Sequence, residues 1–306
     1  MNTKQLRNTL LLMACSFIWG TAFVAQSVGG GYMGAYTFLA GRSWLACVFL
    51  LGLMGARRAN QRRKGVRVPF FLQRKTLAVG GLCCGTALFA ASVAQQMGIP
   101  GTTTAKAGFL TALYVVLVPV CGIFAGRRPD AKLCCCVAAS VAGLYLLCLA
   151  GHDSLSLSGS EWLLLLCALL FTGQILLVNH FSPKLDGIQL SFAQFFVVSV
   201  LSTVGMFLFE QPTAQQFRDA AVSILYCGIM SSGVAYTLQI EGQKDLDPTI
   251  ASLAMCLESV FSALAGWLIL HQTLTPTELT GCALMFAAIV ASQLPSKKRG
   301  GTAAQE

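Results

Sequence analysis

The chain reads as ten apolar stretches, roughly 9–28, 33–54, 76–96, 103–125, 133–150, 162–181, 188–209, 219–240, 248–270 and 276–294, separated by short polar segments. Most hold about 20 residues, which at about 1.5 Å per residue matches a hydrocarbon core about 30 Å thick. The basic residues between them alternate in side. One side takes Lys4 and Arg7; then Arg57, Arg58, Arg62, Arg63, Lys64, Arg67, Arg74 and Lys75; then Arg127, Arg128 and Lys132; then Lys184, Lys244, Lys297, Lys298 and Arg299. The other side takes only Arg218, while Arg42 and Lys106 fall inside stretches. Eighteen of the 21 Lys and Arg residues therefore share a side, and a wrong number of crossings would scramble that pattern. Short loops rich in Lys and Arg stay cytoplasmic. The sequence thus predicts an all-α membrane protein with ten transmembrane helices and both termini inside, in a cell inner membrane or plasma membrane.

Composition points the same way. With 55% apolar residues, 11% charged residues and a mean hydropathy of +0.68, a soluble globular domain of this length is excluded. The net charge of +9 needs no nucleic acid, because the sidedness of the loops accounts for it. Segment 55–75 reads first as a topology determinant, with contact to anionic lipid headgroups as its other use. Lys4 and Arg7 ahead of an apolar run resemble a signal peptide, but the run is span-length and more spans follow, so it reads as an uncleaved first helix. The longest loop holds about 20 residues, too few for a soluble catalytic domain.

Thirteen cysteines sit almost wholly within spans, where free Cys behaves as a small hydrophobe. Neighbours in Cys83-Cys84 and Cys134-Cys135-Cys136 point about 100° apart on a helix and cannot share one metal. Helix packing is their main reading, and thiol chemistry or acylation the other. The chain carries no GxxxxGK[ST] loop, HExxH, paired-Asp metal motif or Ser/His/Asp constellation, and its only histidines are His152, His180 and His271. No cofactor or metal is expected.

Ten spans divide into five and five. Because five is odd, two similar halves would be inserted upside down relative to one another, an architecture common among secondary transporters with the site near midplane. The halves are 1–150 and 151–296, joined through GHDSLSLSGSE at 151–161, with 297–306 as a cytoplasmic tail. Small-residue pairs, Gly81 with Gly85 and Gly122 with Gly126, suit close helix approach. Pro119 is expected to kink the fourth span, and Asp247-Pro248 reads as an N-cap and first-turn proline opening the ninth.

Polar residues without a topological reason are the site candidates. Arg42 and Glu258 each lie about 15 Å from opposite faces, so they fall near midplane, one in each half. They either contact substrate or a proton, or form a structural ion pair that locks the halves together. Lys106, about one turn below the outer face, either snorkels to the interface or contacts an outer vestibule. Gln95, Gln96, Gln174 and Gln239 either hydrogen-bond between helices or face a cavity. Trp19, Tyr114 and Tyr236 are too deep for the interfacial belt and read as core or as cavity wall.

Several of these residues sit in motifs that resemble the EamA-type members of the drug/metabolite transporter superfamily over nearly the full length. Trp19-Gly20 with Phe23 is similar to the WGxxF pattern of the first helix, and Arg42 in TFLAGRSWLA to the arginine of the second. TTTAKAGFLTALYVVLVPV (102–120) resembles the third-to-fourth helix signature. SSGVAYTLQIEGQK (231–244) with DPTIASLAMCLESVFSALAGWLIL (247–270) resembles the eighth and ninth helices. Many members carry Gly-Glu after the ninth helix, where this chain has His271-Gln272. The resemblance implies ten helices in inverted repeats around a central cavity. It also implies transport of small metabolites, often amino acids or related compounds, commonly outward.

The expected function is therefore a secondary transporter with a small-molecule substrate. Its wall would be Glu258, Arg42, Gln239, Tyr236, Trp19, Lys106, Tyr114 and Gln174, with Glu258 as the carrier of any coupling proton. Partners are membrane lipids, with a homodimer left open. The alternative is a membrane-embedded enzyme acting on a lipid or isoprenoid substrate, against which stands the lack of clustered acids or histidines.

Overall fold

A computed structural model describes residues 3–65, 69–124, 126, 130–148, 158–271, 273 and 275–293. Loop residues 151–157, Gln272 and the tail 297–306 lie outside the described residues, as do Arg67, Arg127 and Arg128. Every regular element described is helical: α1 (Thr3–Gly30), α2 (Ala35–Arg63), α3 (Arg74–Gly98), α4 (Thr104–Phe124), α5 (Ala131–Cys148), α6 (Gly159–Phe181), α7 (Gly187–Phe209), α8 (Ala221–Gln243), α9 (Pro248–Leu270) and α10 (Pro276–Gln293). Eight of them, all but α5 and α10, are long and apolar enough to cross a membrane, and those two are shorter apolar helices. Bulky apolar side chains such as Phe124, Phe207, Phe209, Val222 and Leu268 point outward, as they do where lipid is the solvent.

Helix ends follow local sequence. Asp247 caps α9 by accepting from the Thr249 N–H at 2.8 Å, with Pro248 in the first turn, as expected. Ser158 and Glu161 form a capping box on α6, which satisfies donors that no intrahelical carbonyl reaches. Segment 55–75, expected as loop, is helical to Arg63. The apolar requirement ends where the bilayer ends, but the helix continues into water because Arg, Ala and Gln propagate helices well. The eighth stretch is preceded by a separate short helix, Ala214–Asp219, opened by a Thr213–Gln216 capping box.

The ends sort onto two faces. On one, Lys4 pairs with Asp245 and Arg57 with Asp186, each at 2.7 Å, and the Asn8 amide donates to the Lys244 carbonyl at 2.6 Å. The hydrogen bond from Lys4 holds the exposed Asp245 carboxyl below its usual range. On the other, Glu210 at the end of α7 accepts from the Tyr36 and Thr37 N–H groups at 3.0 and 2.8 Å. There Lys106 on α4 also pairs with Glu161 on α6.

The principal packing pairs are α1 with α8 and α9, α6 with α3 and α4, α2 with α7 and α8, α7 with α3, α4 with α9, and α5 with α10. Glycines bring two of these contacts, α3–α7 and α5–α10, close. A Cβ on Gly85 would stand 2.8 Å from the Gln194 carbonyl of α7, so Gly81 and Gly85 serve packing as their spacing suggested. A Cβ on Gly143 would stand 2.7 Å from the Gly281 carbonyl of α10. Gly126 does not share that role: it faces open space with φ +80° just past α4. Its function is to end the helix in the left-handed conformation that glycine tolerates.

α4 and α9 are discontinuous. α4 breaks at Leu113, between Thr104–Ala112 and Tyr114–Phe124, and not at Pro119, which lies inside the second piece. α9 breaks at Cys256–Leu257, between Pro248–Met255 and Glu258–Leu270. Breaking a helix frees carbonyls that lipid cannot satisfy. At the α9 break the Ser16 hydroxyl lies 3.1 Å from both the Ala254 and Met255 carbonyls, sharing its proton with Leu12 O at 2.9 Å.

Candidate functional site

Six helix faces and the α9 break converge on one buried cavity. From α1, Trp19, Phe23 and Gln26 fall at i, i+4 and i+7 on one side of the helix and enter its wall, as a 3.6-residue period requires. Gly20 faces away from it, against α9, where a Cβ would lie 2.8 Å from the Glu258 carbonyl. α2 contributes Arg42, α3 contributes Gln95, and α6 contributes Phe171 and Ile175. From α4 come Thr111 and Tyr114, on either side of the break. α8 is π-helical from Tyr226 to Ala235, and the Tyr236 N–H reaches back five residues to the Ser231 carbonyl. This wider turn places Ser231, Tyr236 and Gln239 on the same wall; π-segments often mark functional sites. α9 contributes Glu258, the first residue after its break.

The cavity holds about 30 Å³, room for about two water molecules. Its aromatic side is ordered by contact: the Trp19 and Tyr236 rings lie 4.7 Å apart, and Phe195 meets Tyr236 edge-on at 5.1 Å. Arg42 and Glu258 are 2% and 3% exposed, yet no ion pair joins them among the described residues. Of the two readings of these charges, a direct ion pair is the one these contacts do not show. Arg42 Nη1 instead donates to the Gln26 side-chain oxygen at 2.9 Å, and its guanidinium lies 6.0 Å from the Phe38 ring centre.

Four wall atoms lack a hydrogen bond of good geometry: Trp19 Nε1, Arg42 Nε, the Tyr114 hydroxyl and Glu258 Oε1, although the Tyr114 hydroxyl and the Glu258 carboxyl lie against each other. Burying a polar atom unpaired is costly, and for a charged group more so. Orphaned polar atoms also occur on α7, at Ser191, Gln194 and Ser202. What distinguishes the four is that they share one space and include both a cation and an anion. Donors and acceptors of both signs facing one cavity suit a small polar ligand carrying both charges.

Six of the eight sequence candidates line this cavity: Trp19, Arg42, Tyr114, Tyr236, Gln239 and Glu258. Gln174 stands behind it, exchanging hydrogen bonds with Gln239 at 3.1 and 3.4 Å, so it positions that amide. Lys106 lies outside the wall, held by Glu161 near the helix ends. Phe23, Gln26, Thr111, Phe171, Ile175 and Ser231 were not among the candidates. Gln26 was within reach, because it follows Trp19 by seven residues on the same helix face. Among the described residues no group of three or more His, Cys, Asp or Glu is arranged to hold a metal ion.

Apolar helices of membrane-crossing length around a buried polar cavity define an integral membrane protein with an internal site. The EamA-like transporter family matches residues 7–149 and 159–292, and the chain belongs to that family: it is a membrane transporter. An uncharacterized transporter of Archaeoglobus fulgidus is 26% identical over 291 residues, 94% of this chain and 86% of that protein. The uncharacterized transporter YoaV of Bacillus subtilis is 26% identical over 165 residues, 52% of this chain and 56% of its own. A solved crystal structure superimposes with a TM-score of 0.71 over 94% of this chain and 96% of its own, at 18% identity. That likeness bears on the fold.

Proposed function

We propose that this EamA-family protein is a secondary transporter, working outward, of small metabolites such as amino acids or related compounds, by alternating access around the midplane cavity. In this reading the chain crosses an inner or plasma membrane ten times, as inverted five-helix halves 1–150 and 151–296 with both termini cytoplasmic. The packing supports the halves: exchanging each helix with the one five positions away turns α1–α9 into α6–α4 and α1–α8 into α6–α3. It also leaves α2–α7, α4–α9 and α5–α10 as they are. The facing of described cations supports the orientation, since Lys4, Arg7, Arg57 and Lys244 share one face and only Lys106 and Arg218 lie toward the other.

One observation carries the proposal: a buried cation from α2 and a buried anion from α9, with no ion pair between them, face the same small cavity. A zwitterion would set its carboxylate on Arg42 and its ammonium on Glu258, with its side chain against Trp19 and Tyr236. The present 30 Å³ is far below the roughly 300 Å³ or more of a ligand pocket. Substrate entry therefore needs the wall to move, and the breaks in α4 and α9 are where a helix yields without losing its whole hydrogen-bond ladder. Glu258 is the acid in the wall and carries the coupling proton.

The test is a melting screen of the purified full chain against zwitterionic amino acids and size-matched cations, sugars and nucleobases. At about 100 times Kd a true ligand stabilises by about 2.7 kcal/mol. Zwitterions should raise the melting temperature and Arg42→Gln should remove the shift. A shift from uncharged or purely cationic compounds alone, or one that survives Arg42→Gln, contradicts the reading.

A further inference from the structure

Far from the cavity, α3 and α7 leave an open apolar groove of about 520 Å³. It is walled by Phe71, Leu77, Ala78, Leu82, Phe192 and Phe196, and Arg74 stands at its α3 N-terminal end. Gly81 and Gly85 set the two helices close beneath it, against Ala193 and Val197. Beside the groove, across the segment Phe70–Leu72, is a hollow of about 60 Å³ whose polar lining is Arg57, Arg58, Gln61, Asp186 and Gln189. That segment is anchored. The Phe71 ring stacks on Phe192 at 6.1 Å and meets Phe70 at 4.9 Å, and the Leu72 N–H donates to the Gln189 side chain at 2.9 Å.

The charges at this corner do not balance. Arg57 is neutralised by Asp186, but Arg58 and Arg74 have no acidic partner among the described residues. Arg58 lies 5.5 Å over the Phe70 ring with its Nε buried and without a hydrogen-bond partner. α3 opens with Arg74 and Lys75, with no acid in its first turn and no side-chain cap, although a helix N-terminus favours the opposite sign. An apolar groove that runs into a cationic corner matches one occupant in shape and charge. We infer that this corner binds one anionic glycerophospholipid, with an acyl chain in the α3–α7 groove and the phosphate against Arg74 and Arg58. A zwitterionic lipid would bring a further cation to a corner already cationic. A second copy of the chain would bring its own arginines there. The lipid spans α3 and α7, one helix from each proposed half, without touching the cavity.

Native mass spectrometry of the full chain in detergent tests this directly, with phosphatidylglycerol and phosphatidylcholine of identical acyl chains as probes. Inorganic phosphate and glycerol phosphate serve as headgroup-only probes. Phosphatidylglycerol should bind about tenfold more tightly than phosphatidylcholine. The double variant Arg58→Gln/Arg74→Gln should lose that preference, and Arg58→Lys/Arg74→Lys should keep most of it. Ala78→Trp, which fills the groove, should weaken both lipids, and the headgroup-only probes should not compete. Equal binding of the two lipids, or a preference that survives the double Gln variant, overturns the inference. So does competition by inorganic phosphate, or an Ala78→Trp variant whose only change is loss of a dimer.

Discussion

α4 and α9 both break near mid-length and both resume with a cavity residue, but α4 resumes with the phenol of Tyr114 and α9 with the carboxylate of Glu258. Their surroundings differ in the same sense. At α9, Ser16 covers the freed carbonyls and Gly20 lets α1 come against the Glu258 backbone. At α4, Gly108 faces Ser259 and Ser262, whose hydroxyls donate to the Gly108 and Thr104 carbonyls at 2.9 and 2.8 Å. The ends differ too. α4 is followed by Gly126 and α9 by His271, both left-handed, with φ +80° and 54°. Two helices of one design thus carry different chemistry: α9 holds the charge and is clamped by α1, while α4 supplies a neutral partner.

That contrast breaks most visibly at the glycines. A Cβ on Gly20 would meet Phe261 and stand 2.8 Å from the Glu258 carbonyl, whereas one on Gly108 would come no nearer than 3.2 Å to Ser262. Gly20→Ala should therefore cost about 1–3 kcal/mol and Gly108→Ala clearly less, as read by chemical unfolding in detergent. Next is Ser16→Ala, which leaves the α9 carbonyls uncovered. It should destabilise by about 1 kcal/mol, within the range of hydrogen bonds between membrane helices. The smallest effects belong to the helix ends. His271→Gly relieves a left-handed non-glycine and should stabilise by about 0.5–1 kcal/mol, while Gly126→Ala should destabilise by a similar amount. Equal signs for the two substitutions would show that the ends of α4 and α9 do not differ as described.

Much of this was legible in the chain itself, for a physical reason. A bilayer demands long apolar helices, so hydropathy located α1 to α10 but not the short polar helix Ala214–Asp219, and a charge inside an apolar helix is costly enough to mark Arg42 and Glu258. The breaks were not legible. Hydropathy does not encode backbone hydrogen bonding, and Pro119 drew attention away from Leu113. The π-helical stretch of α8 was equally hidden, and with it Ser231. Lys106 fits its interfacial reading but not its place among the wall candidates, because its partner Glu161 comes from the first turn of α6, remote in sequence. The separation of Arg42 from Glu258 depends on side-chain direction, and depth along a helix says nothing about that.

The central claim is that Glu258 is a working group in the cavity and not half of a structural pair. The most direct measurement is gradient-driven transport by folded Glu258→Gln in proteoliposomes, beside Tyr114→Phe and the unaltered protein, using the ligand found by melting. The expected result is that Glu258→Gln keeps its melting temperature and loses transport driven by a proton gradient, while Tyr114→Phe retains a measurable part of it. Normal gradient-driven transport by Glu258→Gln would contradict the claim and remove Glu258 from the mechanism.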